Sequence, residues 1–350
     1  MSRIPVTILG ATGVVGQRFV RRLSRHPQFE IACLAASDRS GGKRYDEACE
    51  WRLDGEPYGG LGDLILRPSD PTFSFSPIVF SALDNTAALE IEPAFARAGS
   101  MVFSNAAAFR MEEDVPLLVP EVNPGHLALI EAQRRNRGWS GAILTNPNCT
   151  TTVLVMALAP LHHAFGVETA LMTSMQAVSG AGYPGVSSLD ILGNVLPYIG
   201  GEEAKVESEV GRLLGIVEDG RAVSADLTMS ALCYRVPVLE GHTESVSVRL
   251  GGNPSPEQVR EALLAWNPVP QRLKLPSAPP VPLRLHSADN RPQVRRDVEE
   301  DGGMSVHVGR LRKCPVLGIK FTLLGHNTER GAAGGSVLNA ELAVAQGVFA

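Results

Sequence analysis

Few folds are compatible with residues 6–36 of this chain. An apolar run, Val6-Thr7-Ile8-Leu9, passes directly into Gly10-Ala11-Thr12-Gly13-Val14-Val15-Gly16. The run reads as a short buried strand, and glycines spaced GxxGxxG behind it call for a tight turn. Gln17 to Leu23 then reads as a helix with Phe19, Val20 and Leu23 on one face, and Ile31 to Ala36 as a second strand. Strand, glycine turn, helix and strand make up the first unit of a dinucleotide-binding fold. Glycines admit a pyrophosphate close to the main chain, and the helix N-terminus receives its charge. A tight βα turn also occurs in α/β proteins without a nucleotide; the position straight after the first strand favours the cofactor reading.

The alternation continues. Ile78 to Ala82 is a strand, Ala87 to Ala98 a helix interrupted near its start by Pro93, and Met101 to Ser104 a further strand. This βαβ rhythm runs to about Leu144, after which strand signals dominate: Ala170 to Val178, Leu232 to Val238, Glu244 to Leu250 and Gly318 to Leu324. Apolar and polar residues alternate in Ser245 to Leu250, as in a half-buried antiparallel strand. Pro-rich Leu275 to Leu285 reads as an irregular surface connection, and Ala333 to Val348 as a terminal helix. A chain of 350 residues is suited to two domains.

The net charge of −5 argues against a nucleic-acid partner, and no apolar run reaches the length of a membrane span. Met1-Ser2-Arg3-Ile4-Pro5-Val6 lacks the apolar centre of a signal peptide. The five cysteines include no CxxC pair, which argues against a disulfide framework and a thiolate zinc site. No metal is expected, and a reduced cytoplasm is the expected location.

One cysteine stands apart. Cys149 lies in Thr145-Asn146-Pro147-Asn148-Cys149-Thr150-Thr151-Thr152, between a turn-forming segment and a threonine run, ahead of an apolar helical stretch from Val153 to Leu161. At a helix N-terminus, unpaired N–H groups and the dipole favour the thiolate, so the position suits a nucleophile. A buried cysteine capped by chance is the alternative. Among eight histidines, His162 and His163 read as an ordinary helix end. His242 comes directly after a glycine, with Arg235 one short strand upstream and a turn required near Leu239-Glu240-Gly241.

Taken together, these blocks resemble the aspartate-β-semialdehyde dehydrogenase family, in the branch found in archaea, fungi and some bacteria. The resemblance rests on Gly10 to Phe19, on Asn146-Pro147-Asn148-Cys149-Thr150, and on Gln176-Ala177-Val178-Ser179-Gly180-Ala181-Gly182-Tyr183-Pro184-Gly185. It extends to Arg235-Val236-Pro237-Val238 leading to Gly241-His242-Thr243, and to Arg330 through Ser336. It implies an α/β protein with a Rossmann-type NADP-binding domain, residues 1–147, completed by a C-terminal helix in 328–350. Residues 148–327 would form an α+β catalytic and dimerisation domain.

The implied reaction is NADPH-dependent reduction of L-4-aspartyl phosphate to L-aspartate 4-semialdehyde, with release of phosphate, in lysine, methionine and threonine biosynthesis. Cys149 would form a thioester, His242 would be the general acid/base, and Gln176 would hold the acyl intermediate. For the substrate the resemblance implies Arg235 at the α-carboxylate, Glu202 at the α-ammonium, and Lys205, Arg110 and Asn148 toward phosphate. Without the resemblance, Glu202 and Lys205 read as a solvated helix face. The implied cofactor residues are Gly10, Thr12, Gly13, Val14, Val15, Gly16, Ser37, Arg39, Ser40, Lys43, Ser179, Gly180 and Asn327. Asp38 near the second strand would suit NAD, whereas Arg39 and Lys43 suit a 2′-phosphate; NADP is favoured, with dual use open. A homodimer or homotetramer is implied, with Ser179 to Leu196 offered to the interface. Two alternatives keep parts of this pattern: a CoA-thioester reductase such as malonyl-CoA reductase, and a nucleotide-sensing Rossmann protein without catalysis.

Overall fold

The computed structural model describes residues 3–37 and 39–349. Six short strands form the first sheet: β1 (Ile4–Leu9), β2 (Phe29–Ala36), β3 (Arg67–Pro68), β4 (Ile78–Ser81), β5 (Met101–Ser104) and β6 (Ala142–Thr145). Their order is β3-β2-β1-β4-β5-β6, and every pairing is parallel. Parallel strands need crossover connections, and helices covering both faces explain why β4, β5 and β6 are buried at every position. The order reverses at β1, which places the glycine turn at the switch point where such sheets bind ligands.

Behind that turn, α1 (Val14–Leu23) packs Phe19, Val20 and Leu23 against Phe29 and Phe80. The helix α2 (Asn85–Arg97) starts earlier than the pattern suggests, because the Asp84 carboxylate caps Thr86 and Ala87. Pro93 does not interrupt it near its start but lies inside a helix that continues for another turn.

The second sheet is mixed, in the order β10-β7-β11-β14-β13-β12. Its members are β7 (Val167–Gln176), β10 (Thr228–Arg235), β11 (His242–Leu250), β12 (Leu283–Leu285), β13 (Val306–Cys314) and β14 (Gly318–Gly325); β8 (Ile216–Glu218) and β9 (Arg221–Val223) form a separate hairpin. Alternation along β11 matches its pairing: it lies antiparallel to both β7 and β14, with every second residue buried. The strand expected at Leu232 to Val238 is displaced, since β10 pairs with β7 from Thr228 and ends at Arg235, before Pro237. The Pro-rich connection is likewise not wholly irregular, because Leu283 to Leu285 joins the sheet edge beside β13.

The helix α3 (Cys149–Phe165) links the two layers. It starts just after β6 of the first sheet, and Val153, Leu154, Met156 and Leu161 fill the core of the second with Ala170, Val246 and Phe321. A second helix of this half, α4 (Glu202–Leu214), adds Val206, Val210 and Leu213 to the same core. After β14 the chain makes a π-turn at Glu329–Ala333 and continues as α5 (Gly334–Ala345), later than the Ala333 start expected. Val337, Leu338 and Leu342 of α5 pack into the first core with Phe19, Phe80 and Met101. Among the described residues no helix is long and apolar enough to cross a membrane.

Candidate active site

Strand register assembles one wall of the site. Arg235 ends β10 opposite Gln176 at the end of β7, and His242 opens β11 on the other side of β7. The N–H of Ala177 donates to His242 Nδ1 at 3.1 Å, which extends that row by one side chain. The N-terminus of α3 comes to meet it. Asn148 is the N-cap: its Oδ1 accepts from the N–H groups of Thr150 and Thr151, so Cys149 occupies the first helical position. Cys149 Sγ then lies 3.2 Å from His242 Nε2.

Two glycines bring main chain onto this pair. A Cβ at Gly331 would lie 2.6 Å from Cys149 Cβ, and one at Gly180 would lie 2.8 Å from Arg235 Nη1 and 3.3 Å from the His242 ring. Arg235 Nη1 donates to the Ala177 carbonyl at 2.8 Å, so the guanidinium is anchored beside the loop that holds the imidazole. Gln176 donates to Ser174 Oγ from the same buried face.

The electrostatics differ from the helix-terminus expectation. Burial, reinforced by the Glu202 carboxylate, pushes the Cys149 thiol up to about 12, against the opposing pull of Arg110 and Arg235. Burial and the nearby Arg235 charge hold His242 down to about 3. The resting pair is therefore a neutral thiol beside a neutral imidazole. Because Nδ1 accepts from Ala177, the ring proton sits on Nε2 and points to sulfur. A second proton on Nδ1 would face the Ala177 N–H. His242 is thus set to donate from Nε2 rather than to rest as an imidazolium poised near neutrality.

The remaining substrate candidates gather around Asn148. Its Nδ2 donates to Glu202 Oε1 at 2.8 Å, and Lys205 Nζ lies 3.7 Å from Glu202 Oε2. Arg110 is buried, with Nη1 on Glu209 Oε1 at 3.0 Å and Nη2 on the Asn105 carbonyl. Glu209 also accepts the Asn148 N–H at 2.6 Å, which makes it a hub that the sequence reading missed. Its spacing held a signal: Glu202, Lys205 and Glu209 fall at i, i+3 and i+7 on one face of α4.

The glycine turn fits a dinucleotide. A Cβ at Gly10 would meet the Ala82 carbonyl at 2.7 Å, and one at Gly16 would collide with the Gly10 carbonyl. Gly13 caps α1 without a side-chain hydrogen bond, which leaves its first N–H groups available. Gly10, Thr12, Gly13 and Ser37 line a cleft of about 610 Å³. Val14 and Ser179 border an adjoining cavity of about 650 Å³ between α1 and the second half of the chain. Asn327 Nδ2 donates to Ser179 Oγ at 2.8 Å on that side. Val15 comes next in the first turn of α1. Arg39 and Lys43 are exposed and Ser40 half-buried just beyond β2; Asp38 lies outside the described residues.

Elsewhere, His286 Nε2 and His307 Nδ1 face each other at 3.0 Å near Asp297. Ring centroids 5.3 Å apart and planes only 22° apart put both nitrogens nearly on the line between the rings. That is a hydrogen bond, not two donors converging on an ion, and Arg291 already holds Asp297.

Comparison with known proteins agrees with this geometry. Residues 5–130 match the model of the semialdehyde dehydrogenase NAD binding domain, and residues 158–330 that of the semialdehyde dehydrogenase dimerisation domain. The chain is 49% identical over 347 residues to aspartate-semialdehyde dehydrogenase of Archaeoglobus fulgidus, covering 99% of this chain and 100% of that one. It is 46% identical over 353 residues to the enzyme of Schizosaccharomyces pombe, covering 98% and 99%. Among solved structures, aspartate semialdehyde dehydrogenase with NADP from Candida albicans superposes with a TM-score of 0.90 at 39% identity, over 99% and 100% of the two chains. Aspartate semialdehyde dehydrogenase II complexed with ASA from Vibrio cholerae gives 0.76 at 28% identity, over 99% of each.

Proposed function

Because the chain belongs to the aspartate-semialdehyde dehydrogenase family, we propose that it reduces L-4-aspartyl phosphate to L-aspartate 4-semialdehyde with NADPH, releasing phosphate. This is a step toward lysine, methionine and threonine. The observation that carries the reading is the 3.2 Å contact between Cys149 Sγ and His242 Nε2 at the head of α3.

Cys149 is the nucleophile. Its sulfur attacks the acyl carbon, the C–O bond to phosphate breaks, the thiol proton leaves with the departing phosphate oxygen, and a thioester remains on sulfur. The Nε2–H of His242 supports the sulfur as its proton leaves and the carbonyl oxygen as charge develops on it. When bound, the nicotinamide cofactor would supply hydride to the acyl carbon, and the C–S bond to Cys149 would break to release the aldehyde. Arg235 takes the α-carboxylate, Glu202 the α-ammonium, and Arg110 with Lys205 the phosphate; Gln176 and Asn148 complete the cradle. The glycine turn Gly10–Gly16 takes the pyrophosphate, Ser37, Arg39, Ser40 and Lys43 the 2′-phosphate end, and Ser179, Gly180 and Asn327 the nicotinamide end.

Residues 1–147 with 328–350 act as the NADP-binding domain, and 148–327 as the catalytic and dimerisation domain. The core shared between α5 and the first sheet supports this division. The enzyme works in the cytoplasm as a homodimer or homotetramer. Exposed Leu189, Leu192, Val195 and Tyr198, and Leu171, Met175 and Leu232 on β7 and β10, support an oligomer.

The test is NADPH formation from aspartate semialdehyde, NADP and phosphate, beside NADPH oxidation by malonyl-CoA. Turnover that requires phosphate is expected. Activity with malonyl-CoA alone would replace the aspartyl reading with a CoA-thioester reductase.

A further inference from the structure

Between the glycine-turn helix and the catalytic loop lies a carboxylate to which the proposed reaction gives no part. Glu240 accepts from Arg18 Nη2 at 2.6 Å, from Ser179 Oγ at 2.8 Å and from Thr328 Oγ1 at 3.0 Å. His326 Nδ1 stands 4.0 Å from the same oxygen that receives the two hydroxyls. The donors come from three separate parts of the chain: α1, the loop after β7, and the segment after β14. Glu240 is therefore a point where the two halves of the molecule meet in one group.

From Glu240 the main chain leads within two residues to the catalytic pair. Gly241 has φ +93°, and its N–H donates to Asn327 Oδ1 at 2.8 Å, while Asn327 Nδ2 returns to Ser179. A Cβ on Gly241 would fall 2.8 Å from Val298, so the main chain is confined there. The next residue is His242, whose far side is held by Ala177. The imidazole is thus fixed from two directions, and one of them leads through Glu240 and Arg18 to the helix that starts at the glycine turn.

We propose that Glu240 is a positioning residue, which registers His242 and Cys149 in one half of the protein against the cofactor turn in the other. The proposal rests on the catalytic reading of Cys149 and His242. Hydride transfer requires the nicotinamide and the acyl carbon to be held about 3–3.5 Å apart, and the cofactor's pyrophosphate and the acyl carbon are bound by different halves of the chain. A carboxylate shared by both halves sets that distance without touching either reactant.

The site can be altered without leaving a buried charge bare. Arg18 Nη1 also pairs with Glu329 at 2.7 Å, so Glu240→Gln leaves Arg18 one ionic partner and keeps an acceptor for the hydroxyls. Glu329 in turn retains Arg21 and Arg22 when Arg18 is changed to Met.

The experiment is a double-mutant cycle of Glu240→Gln and Arg18→Met in the full chain. It records kcat with aspartate semialdehyde, NADP affinity by fluorescence, and Tm. Wild-type turnover and its loss in Cys149→Ala test the catalytic reading separately. Glu240→Gln is expected to lower kcat at least tenfold while NADP affinity changes less than threefold. Arg18→Met should show the same split, and the double variant should be no worse than the poorer single one. Glu240→Asp, which keeps the charge but is one methylene shorter, should recover part of kcat. Activity within twofold of wild type, a loss confined to NADP affinity, or losses that multiply in the double variant would overturn the proposal. If Glu240→Gln lowers Tm by more than ten degrees, Thr328→Ala replaces it in the cycle and must show the same kcat loss without additivity.

Discussion

Replacing Glu202 with glutamine should make Cys149 more reactive and the enzyme less active. The carboxylate holds Asn148 Nδ2 at 2.8 Å, and Asn148 caps the helix that begins with Cys149, so one side chain separates the charge from the sulfur. Its charge is among the causes that raise the thiol. At an effective dielectric of about 20, unit charges roughly 8 Å apart interact by about 2 kcal/mol, or about 1.5 in pKa. Allowing for the opposing arginines, removal of the charge should lower the thiol pKa by about one. Below that pKa the thiolate fraction then rises about tenfold, while its intrinsic nucleophilicity falls about threefold. The net expectation is alkylation by iodoacetamide about threefold faster at pH 8 in the cofactor-free enzyme. Glutamine still accepts from Asn148, so the cap survives. Turnover should move the other way: without the carboxylate the substrate ammonium has no anion, and kcat/KM should fall more than tenfold. Slower or unchanged alkylation would mean that Glu202 does not act on sulfur. Unchanged turnover would mean that it does not hold the ammonium.

The same geometry sets further outcomes. Cys149→Ala should abolish turnover and leave NADP affinity within about twofold, since the cleft at Gly10, Thr12 and Gly13 lies on another element; residual turnover above a few per cent counts against the thioester. His242→Asn should cost about 10²–10⁴ in kcat with little change in KM, and a change in KM alone would recast it as a binding residue. Replacing Arg39 and Lys43 with alanine should weaken NADPH binding and spare NADH, whereas equal losses would assign them to the fold. Burial pushes Glu329 upward, yet Arg22 and Arg18 together outweigh it and draw the carboxyl down from 4.5 to about 2. A depressed carboxylate adds stability above its unfolded pKa and loses it as pH falls through the folded one. Denaturant titration should therefore show wild type about 3 kcal/mol more stable than Glu329→Gln at pH 7, with the gap closing between pH 4.5 and 2. A gap that persists in acid contradicts the ion pairs.

Much of the architecture could be read from one-dimensional pattern. The glycine turn, the short buried strands and the alternation of Ser245 to Leu250 each report a local rule, and β1, β5 and β11 lie where those rules put them. Errors arose where distant partners decide. The start of β10 is set by its register with β7, and Pro93 is tolerated because α2 is anchored ahead of it by Asp84. At the site, motifs identified residue types but not their electrical state. The helix terminus suggested a ready thiolate, yet burial raises Cys149, and no local spacing reveals how deeply a residue is enclosed. Glu209 and Glu240 went unread for a related reason: their partners lie on elements remote in the chain.

Gly331 stands directly behind Cys149, in the π-turn that leads into α5. Cys149 is therefore seated against chain that leaves the ribosome more than 180 residues' synthesis later, at about 5–20 residues per second. Until that segment has emerged and α5 has joined the first core, the head of α3 lacks its packing against Gly331. A nascent chain can form the β1–α1–β2 unit early, yet the packing behind Cys149 is finished only after residue 331 has been made.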